Sequence, residues 1–229
     1  MDIKVNQDND LYFLDNIDVA QLIKSRNKII DQPKATVNIP DIEKALNSHP
    51  NIANAEVSIT IDGKLKVQVK QRKPILRIFN VSDESYYMDD DGMLMPLSEK
   101  YTAKVLIANG KIAESYAKNY KRTMQSISKD SAVKARTMFD ELYAMASFID
   151  ANDFWRAQIQ QIYINDNLDM EVVPIVGDQR IIFGDTTAME EKFKKLLIFY
   201  RQGLNTTGWW NKYSVINLKF KNQIVCTKK

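Results

Sequence analysis

Two alternating runs on either side of Asp62-Gly63 constrain this chain more than any other feature. Val57, Ile59 and Ile61 alternate with Ser58 and Thr60, and Leu65, Val67 and Val69 alternate with Lys64, Lys66, Gln68 and Lys70. Period-two alternation marks a strand with one apolar face. Asp-Gly between two such runs predicts a two-residue hairpin with positive φ at both turn positions. The apolar face needs a cover, and the preceding residues supply two helices. Asp15 or Asn16 caps the first, which carries Val19, Leu22, Ile23 and Arg26 on one face until Gln32-Pro33 breaks the pattern. Ile39-Pro40-Asp41-Ile42-Glu43 opens the second, with proline in the first turn and two acidic residues facing the positive helix end. Ile42, Ala45 and Leu46 form its buried stripe, and His49-Pro50 stops it. Ile3 and Val5 add a short strand in front. The expected order over residues 1–73 is strand, helix, helix, strand, strand.

From Pro74 the character turns to β. Short strand-like runs occur at Leu76 to Ile78, Tyr86 to Met88, Val105 to Ile107, Ile162 to Ile164, Met170 to Val173 and Ile181 to Phe183, separated by Asn, Asp and Gly turns. Two helices interrupt them. Met138, Phe139, Leu142, Met145, Ala146 and Ile149 recur at helical spacing, and so do Met189, Phe193, Leu196, Leu197 and Tyr200. Thr187 and Glu190 have the spacing of a capping box for the second helix. The chain ends with a strand, Tyr213 to Phe220, a polar turn and a short strand, Ile224 to Cys226.

Composition removes several function classes. With 32 basic and 29 acidic residues the net charge is only +3, without the concentrated basic face of a nucleic-acid binder. One cysteine, Cys226, and one histidine, His49, exclude an intramolecular disulfide and a Cys/His zinc site of about four ligands. A Ser-His-Asp triad would have to use His49. A hydrolase built on two carboxylates about 5–10 Å apart has no spacing here that specifies it. No catalytic, metal or cofactor residues are therefore assigned. No run of about 20 apolar residues is present, which leaves either a soluble protein or one whose anchor precedes Met1.

The stretch Ile39 to Phe79 contains a helix ending in His49-Pro50, a strand entry Ala55-Glu56-Val57, and a strand leaving through Gln71-Arg72-Lys73-Pro74-Ile75. Farther on come Tyr86-Tyr87-Met88-Asp89, Val105-Leu106-Ile107 before Gly110, Arg180-Ile181-Ile182-Phe183-Gly184-Asp185 before a helix, and Ile216-Asn217-Leu218-Lys219-Phe220. In this order, the segments resemble the FtsQ/DivIB family of bacterial cell-division proteins. The likeness covers most of the chain. It implies an α+β fold: a POTRA domain at 1–73, β-α-α-β-β, then a β-rich domain with flanking helices at 74–229. It further implies a periplasmic domain of an inner-membrane protein at the septum, with one membrane helix before Met1, and a scaffold linking early and late division proteins. Its partners would be the FtsB–FtsL pair that regulates septal peptidoglycan synthesis. The family usually ends in Asp-Leu-Arg-Tyr where this chain has Asn217-Leu218-Lys219-Phe220, and residues 111–135 are longer and more basic than the family suggests. These departures and the Tyr86-Tyr87-Met88-Asp89 wording resemble a Bacteroidetes-type member. The alternative is a POTRA module of an outer-membrane assembly or secretion system, which usually repeats the fold; the sequence holds no second copy.

The resemblance assigns partner binding to the strand carrying Tyr213, Val215, Asn217, Leu218, Lys219 and Phe220. At a sheet edge its unpaired N–H and C=O groups would add a partner strand. The competing reading is an interior strand closed off by residues 224–226. Other features have simpler readings. Asp89-Asp90-Asp91-Gly92 reads as a turn, since Met93 to Pro96 lack the ligands of a calcium loop. His49 reads as a cation at a helix C-terminus, and Cys226 as a packing residue or an exposed thiol. The basic residues Lys118, Lys121, Arg122, Lys129, Lys134 and Arg136 read as a solvated face. Trp155 reads as core. Trp209 and Trp210 would face opposite sides if extended; they read first as core packing, with one of them open to a partner as the other reading.

Overall fold

The computed structural model describes residues 1–7, 10–26, 38–120 and 137–229. The break at Gln32-Pro33 and the basic residues Lys121 to Arg136 lie outside them. The chain divides into two compact units, Met1–Pro74 with Met95–Ala103, and Ile75–Leu94 with Lys104–Lys229. The stretch 95–103 thus sits with the first unit although it falls inside the range 74–229.

The first unit contains β1 (Asp2–Asn6), α1 (Asn16–Arg26), α2 (Ile39–Asn47), β2 (Ile52–Ile59) and β3 (Leu65–Gln71). The expected element order is met. The three-stranded sheet runs β1-β3-β2, with β1 parallel and β2 antiparallel to β3. Val19 and Ile23 of α1 and Ile42 and Leu46 of α2 pack on Ile52, Val67 and Val69. Asn38 caps α2 by accepting from Asp41 N–H, and Pro40 occupies the first turn. At the start of α1, Asp15 and Asp18 exchange backbone-to-carboxylate bonds of 2.9 and 2.8 Å. Lys100 reaches both carboxylates, at 3.2 and 2.6 Å. Hydrogen bonds from the Asp18 backbone and then from Lys100 hold the Asp15 carboxyl below its usual range.

Three local expectations need correction. The hairpin is not a two-residue turn, because only Gly63 takes positive φ, at 76°. Gly63 N–H donates to Thr60 C=O at 2.7 Å and Thr60 N–H to Lys64 C=O at 2.9 Å, so the glycine closes a longer loop. The buried alternation ends at Val57; Ile59 and Ile61 are exposed, because the hairpin tip extends past the helices. Finally, Ser48 is the C-cap of α2, while His49 Nδ1 accepts from Asn51 N–H at 3.3 Å. A ring nitrogen that accepts carries no proton. Burial, opposed by the charge of Asp18, pushes the imidazole below its usual pKa. His49 is therefore a neutral acceptor and not a dipole-capping cation.

The larger sheet has nine strands in the order β12-β11-β10-β9-β8-β7-β4-β5-β6. These are β4 (Pro74–Phe79), β5 (Ser85–Asp89), β6 (Leu94–Met95), β7 (Leu106–Gly110), β8 (Ile159–Ile164), β9 (Met170–Pro174), β10 (Arg180–Gly184), β11 (Tyr213–Asn217) and β12 (Val225–Lys228). The pairs β4–β7, β7–β8 and β10–β11 are parallel, and a parallel pair needs a crossover. The helices supply two of these: α4 (Met138–Asp150) and α5 (Asp153–Gln158), after the short α3 (Tyr116–Asn119), between β7 and β8, and α6 (Met189–Ile198) between β10 and β11. Phe139, Leu142, Met145, Trp155, Phe193 and Tyr200 bury one face of the sheet against Ile78, Ile162, Val172, Ile181 and Ile216. Thr137 and Asp140 form a capping box at α4. The box expected at Thr187 and Glu190 is absent: α6 starts from Ala188 at φ 52°, with no side-chain cap, and Thr187 Oγ donates instead to Asp185 at 3.1 Å.

Candidate partner-binding edge

The expected partner-binding residues fall on β11 and the turn after it. β11 is not an edge. It pairs with β10 on one side and β12 on the other, with Val215 opposite Arg180 and Thr227, and Asn217 opposite Ile182 and Val225. Val215 and Asn217 are paired on both sides, so the interior-strand reading holds for them, while Tyr213 pairs with Lys228 of β12. Leu218 is fully buried and its N–H donates to Ile182 C=O at 2.9 Å. On this side the outer edge belongs to β12, at one end of the strand order, whose other end is the two-residue β6. Lys229 N–H donates inward to Lys212 C=O at 3.1 Å. Backbone direction alternates along a strand, so the N–H groups of Val225 and Thr227 also point inward, and those of Cys226 and Lys228 point outward.

Past the end of β11 the chain builds a charged groove under the N-terminal end of α6, lined among others by Asp169, Asp185, Lys192, Lys195, Lys219 and Phe220 and by no residue of β12. Lys219 Nζ pairs with Asp169 at 2.6 Å. Lys192, buried except for a tenth of its side chain, donates to the Asp185 carbonyl at 2.8 Å and to its carboxylate at 3.1 Å. Burial alone would raise the Asp185 carboxyl; hydrogen bonds from Lys192 and Thr187 outweigh it and bring it below its usual range. Lys195 Nζ lies 3.2 Å from the Leu218 carbonyl and also donates to that of Phe220. Burial first, and the neighbouring Lys192 charge next, push this ammonium below the usual lysine range. Phe220 is 46% exposed at the rim. The groove offers an apolar ring and lysines already engaged by the protein's own acceptors.

Gly184 sits at the back of this groove with φ 81°, and a Cβ there would stand 3.0 Å from Lys219 Cγ. Gly184→Ala is therefore expected to lower stability by about 1–3 kcal/mol, the cost of a left-handed backbone at a residue with a side chain. The ammonium of Lys219 should also be pushed off Asp169. A chemical-denaturation midpoint measures the first effect, and the Lys219 side-chain NMR signal the second.

Other flagged residues settle into structural positions. Asp89, Asp90 and Asp91 bring their carboxylates within 4.8 Å of one another, but Asp89 Oδ1 accepts from Asp91 N–H at 3.1 Å and from Met93 N–H at 2.6 Å. That is a turn built on a buried aspartate. Trp209 and Trp210 lie on a 3-10 turn, Trp209–Asn211, so the extended-strand argument does not apply to them. Trp210 packs against Tyr200, with ring centroids 5.1 Å apart. Trp209 is 44% exposed, under the ammonium of Lys212 at 3.1 Å. Trp155 is core. Cys226 is half-buried, and burial raises its thiol. Sequence reasoning missed the outward N–H groups of Cys226 and Lys228 and the groove lysines Lys192 and Lys195. No alternation marks the four residues Val225–Lys228 as an edge.

A small three-stranded sheet with two helices and a larger mixed sheet with flanking helices define a two-unit α+β protein. Residues 1–70 match the model of the POTRA-like domain, and residues 73–227 match that described as FtsQ/DivIB, C-terminal related. The chain belongs to the FtsQ/DivIB family, whose members are non-enzymatic scaffolds of bacterial cell division with a periplasmic domain. No curated protein matches the chain. No helix among the described residues is long and apolar enough to cross a membrane.

Proposed function

We propose that this chain is the periplasmic part of a membrane-anchored divisome scaffold that holds FtsB- and FtsL-type partners by strand addition at β12, in support of septal peptidoglycan synthesis. The carrying observation is the outer edge of β12, which closes the nine-stranded order with the N–H groups of Cys226 and Lys228 directed away from β11. Main-chain bonds supply affinity in this mode, and side chains beside the edge supply specificity. Phe220 gives exposed aromatic area next to the groove. Lys219 is the residue for an acidic partner side chain, which must compete with Asp169 for it. Tyr213, Val215 and Asn217 support β12 from the inner side.

The experiment is binding of the purified chain to the extracytoplasmic segments of FtsB and FtsL from the same organism. Proline at 218 would break an internal bond to β10 and unsettle the fold. Cys226→Pro removes an outward N–H only, as an edge strand tolerates. Its binding is expected to weaken at least about tenfold, the size of one lost net hydrogen bond of about 1.4 kcal/mol, with an unchanged circular-dichroism spectrum. Wild-type affinity in that variant would rule out strand addition at β12.

A further inference from the structure

The sheet of the first unit also has two edges, and helix side chains sit on both. Ala55 and Val57 have backbone groups turned away from β3. Ala55 N–H donates to Asn47 Oδ1 at 2.8 Å, and Asn47 Nδ2 donates back to the Ala55 carbonyl at 3.3 Å. Val57 N–H donates to Glu43 Oε1 at 2.8 Å. The side-chain amide of Asn47 thus makes the donor-and-acceptor pair that an opposite residue of an antiparallel neighbouring strand would make. Glu43 and Asn47 lie one helical turn apart on one face of α2, a rise of about 5.4–6 Å. Ala55 and Val57 lie two residues apart on β2, about 6.6 Å. The two spacings nearly match, so a single helix face serves two successive edge positions. On the opposite edge Val5 N–H donates to Asn16 Oδ1 at 3.2 Å. A bulge between Ile52 and Asn54 breaks the regular edge of β2 further.

We infer that Glu43 and Asn47 are an edge guard: they occupy the β2 backbone in place of a fourth strand and close the POTRA-like sheet to strand addition. An unguarded β2 would pair with the β2 of a second copy, since two identical edges meet antiparallel about a twofold axis. The guard keeps the β2 edge from competing with β12 for a partner strand. Its purpose rests on the proposed role of β12, but its existence does not. The test therefore uses this chain alone, without any division partner.

In the Glu43→Ala/Asn47→Ala variant, the amides of Ala55 and Val57 are expected to exchange with solvent deuterium at least tenfold faster at low protein concentration. The sedimentation coefficient should then rise with concentration as dimers form, while the wild-type chain stays monomeric. Asn47→Asp, which keeps the side-chain shape but cannot donate to the Ala55 carbonyl, gives a milder version of both changes should the double variant fail to fold. Unchanged exchange at Ala55 and Val57 in a folded variant would overturn the guard. So would faster exchange in a variant that sediments as a monomer at every concentration. Failure of FtsB or FtsL segments to bind would leave these outcomes untouched.

Discussion

Phe193→Ala is expected to lower the stability of the second unit by about 3–5 kcal/mol, the range for truncating a buried phenylalanine. Phe193 is 2% exposed and stands at the centre of an aromatic cluster. Its ring stacks on Phe148 at 4.5 Å and 16°, and meets Trp155 and Phe183 with centroids 4.9 Å away in each case. Offset and tilted pairs of this kind add about 0.5–1.5 kcal/mol each beyond the area they bury. The neighbours come from α4, α5 and β10, so they cannot collapse into the void without moving three elements. A loss of that size is a large part of the roughly 5–15 kcal/mol that holds a folded protein together. It corresponds to a fall in melting temperature of about 10 °C for a unit of this length. Calorimetry and urea titration measure it, with Phe193→Leu as the control that keeps most of the volume. A loss below about 1 kcal/mol would mean that these rings are not packed as described, since surface substitutions have effects of that order.

That cluster was partly legible in the sequence. Phe193 recurs with Leu196 and Tyr200 at helical spacing, and the pattern correctly made them one buried face. Periodicity reports which face of an element is covered, because it follows from the geometry of a single element. It does not report which element does the covering. Phe148 is missing from the stripe read for α4, yet it makes the closest ring contact of Phe193. The same limit explains the partner-binding strand. The run Tyr213 to Phe220 reads as one strand, of which Tyr213–Asn217 form β11, and whether a strand is interior or at an edge depends on its neighbours. Four mostly polar residues, Val225–Lys228, take the edge position. The Asp62-Gly63 hairpin was located correctly and its turn type was not. Thr60 and Lys64 extend the loop through side-chain and backbone bonds that alternation does not encode. Glu43 and Asn47 are the extreme case. Both look like ordinary helix-surface residues, and their role exists only because β2 lies beside them.

Gln71→Leu is expected to cost the first unit about 2–5 kcal/mol, through unsatisfied backbone rather than lost packing. Gln71 ends β3 and is 4% exposed. Its Oε1 accepts from Leu14 N–H at 2.9 Å, and its Nε2 donates to the carbonyls of Leu11 at 2.9 Å and Asn6 at 3.0 Å. One side chain therefore ties the end of β1 and the approach to α1 onto the central strand of the sheet. Leucine matches the volume but leaves these groups without a partner. Asn6 is exposed and can turn to water; Leu11 and Leu14 are buried and cannot. Each buried orphan costs about 1–3 kcal/mol. Gln71→Glu separates this account from simple packing. A carboxylate still accepts from Leu14 N–H but faces two carbonyl oxygens with no proton to offer. Only the protonated acid can donate to one of them, so burial and the carbonyls raise its folded-state pKa above the unfolded value of about 4.3. The folded variant then binds a proton more tightly than the unfolded chain, and linkage makes it more stable as pH falls. The urea midpoint of Gln71→Glu should rise from pH 7 toward pH 5 relative to that of the unmodified chain, whereas the deficit of Gln71→Leu should stay constant. Parallel pH profiles for the two variants would show that the buried carbonyls of this loop do not depend on Gln71.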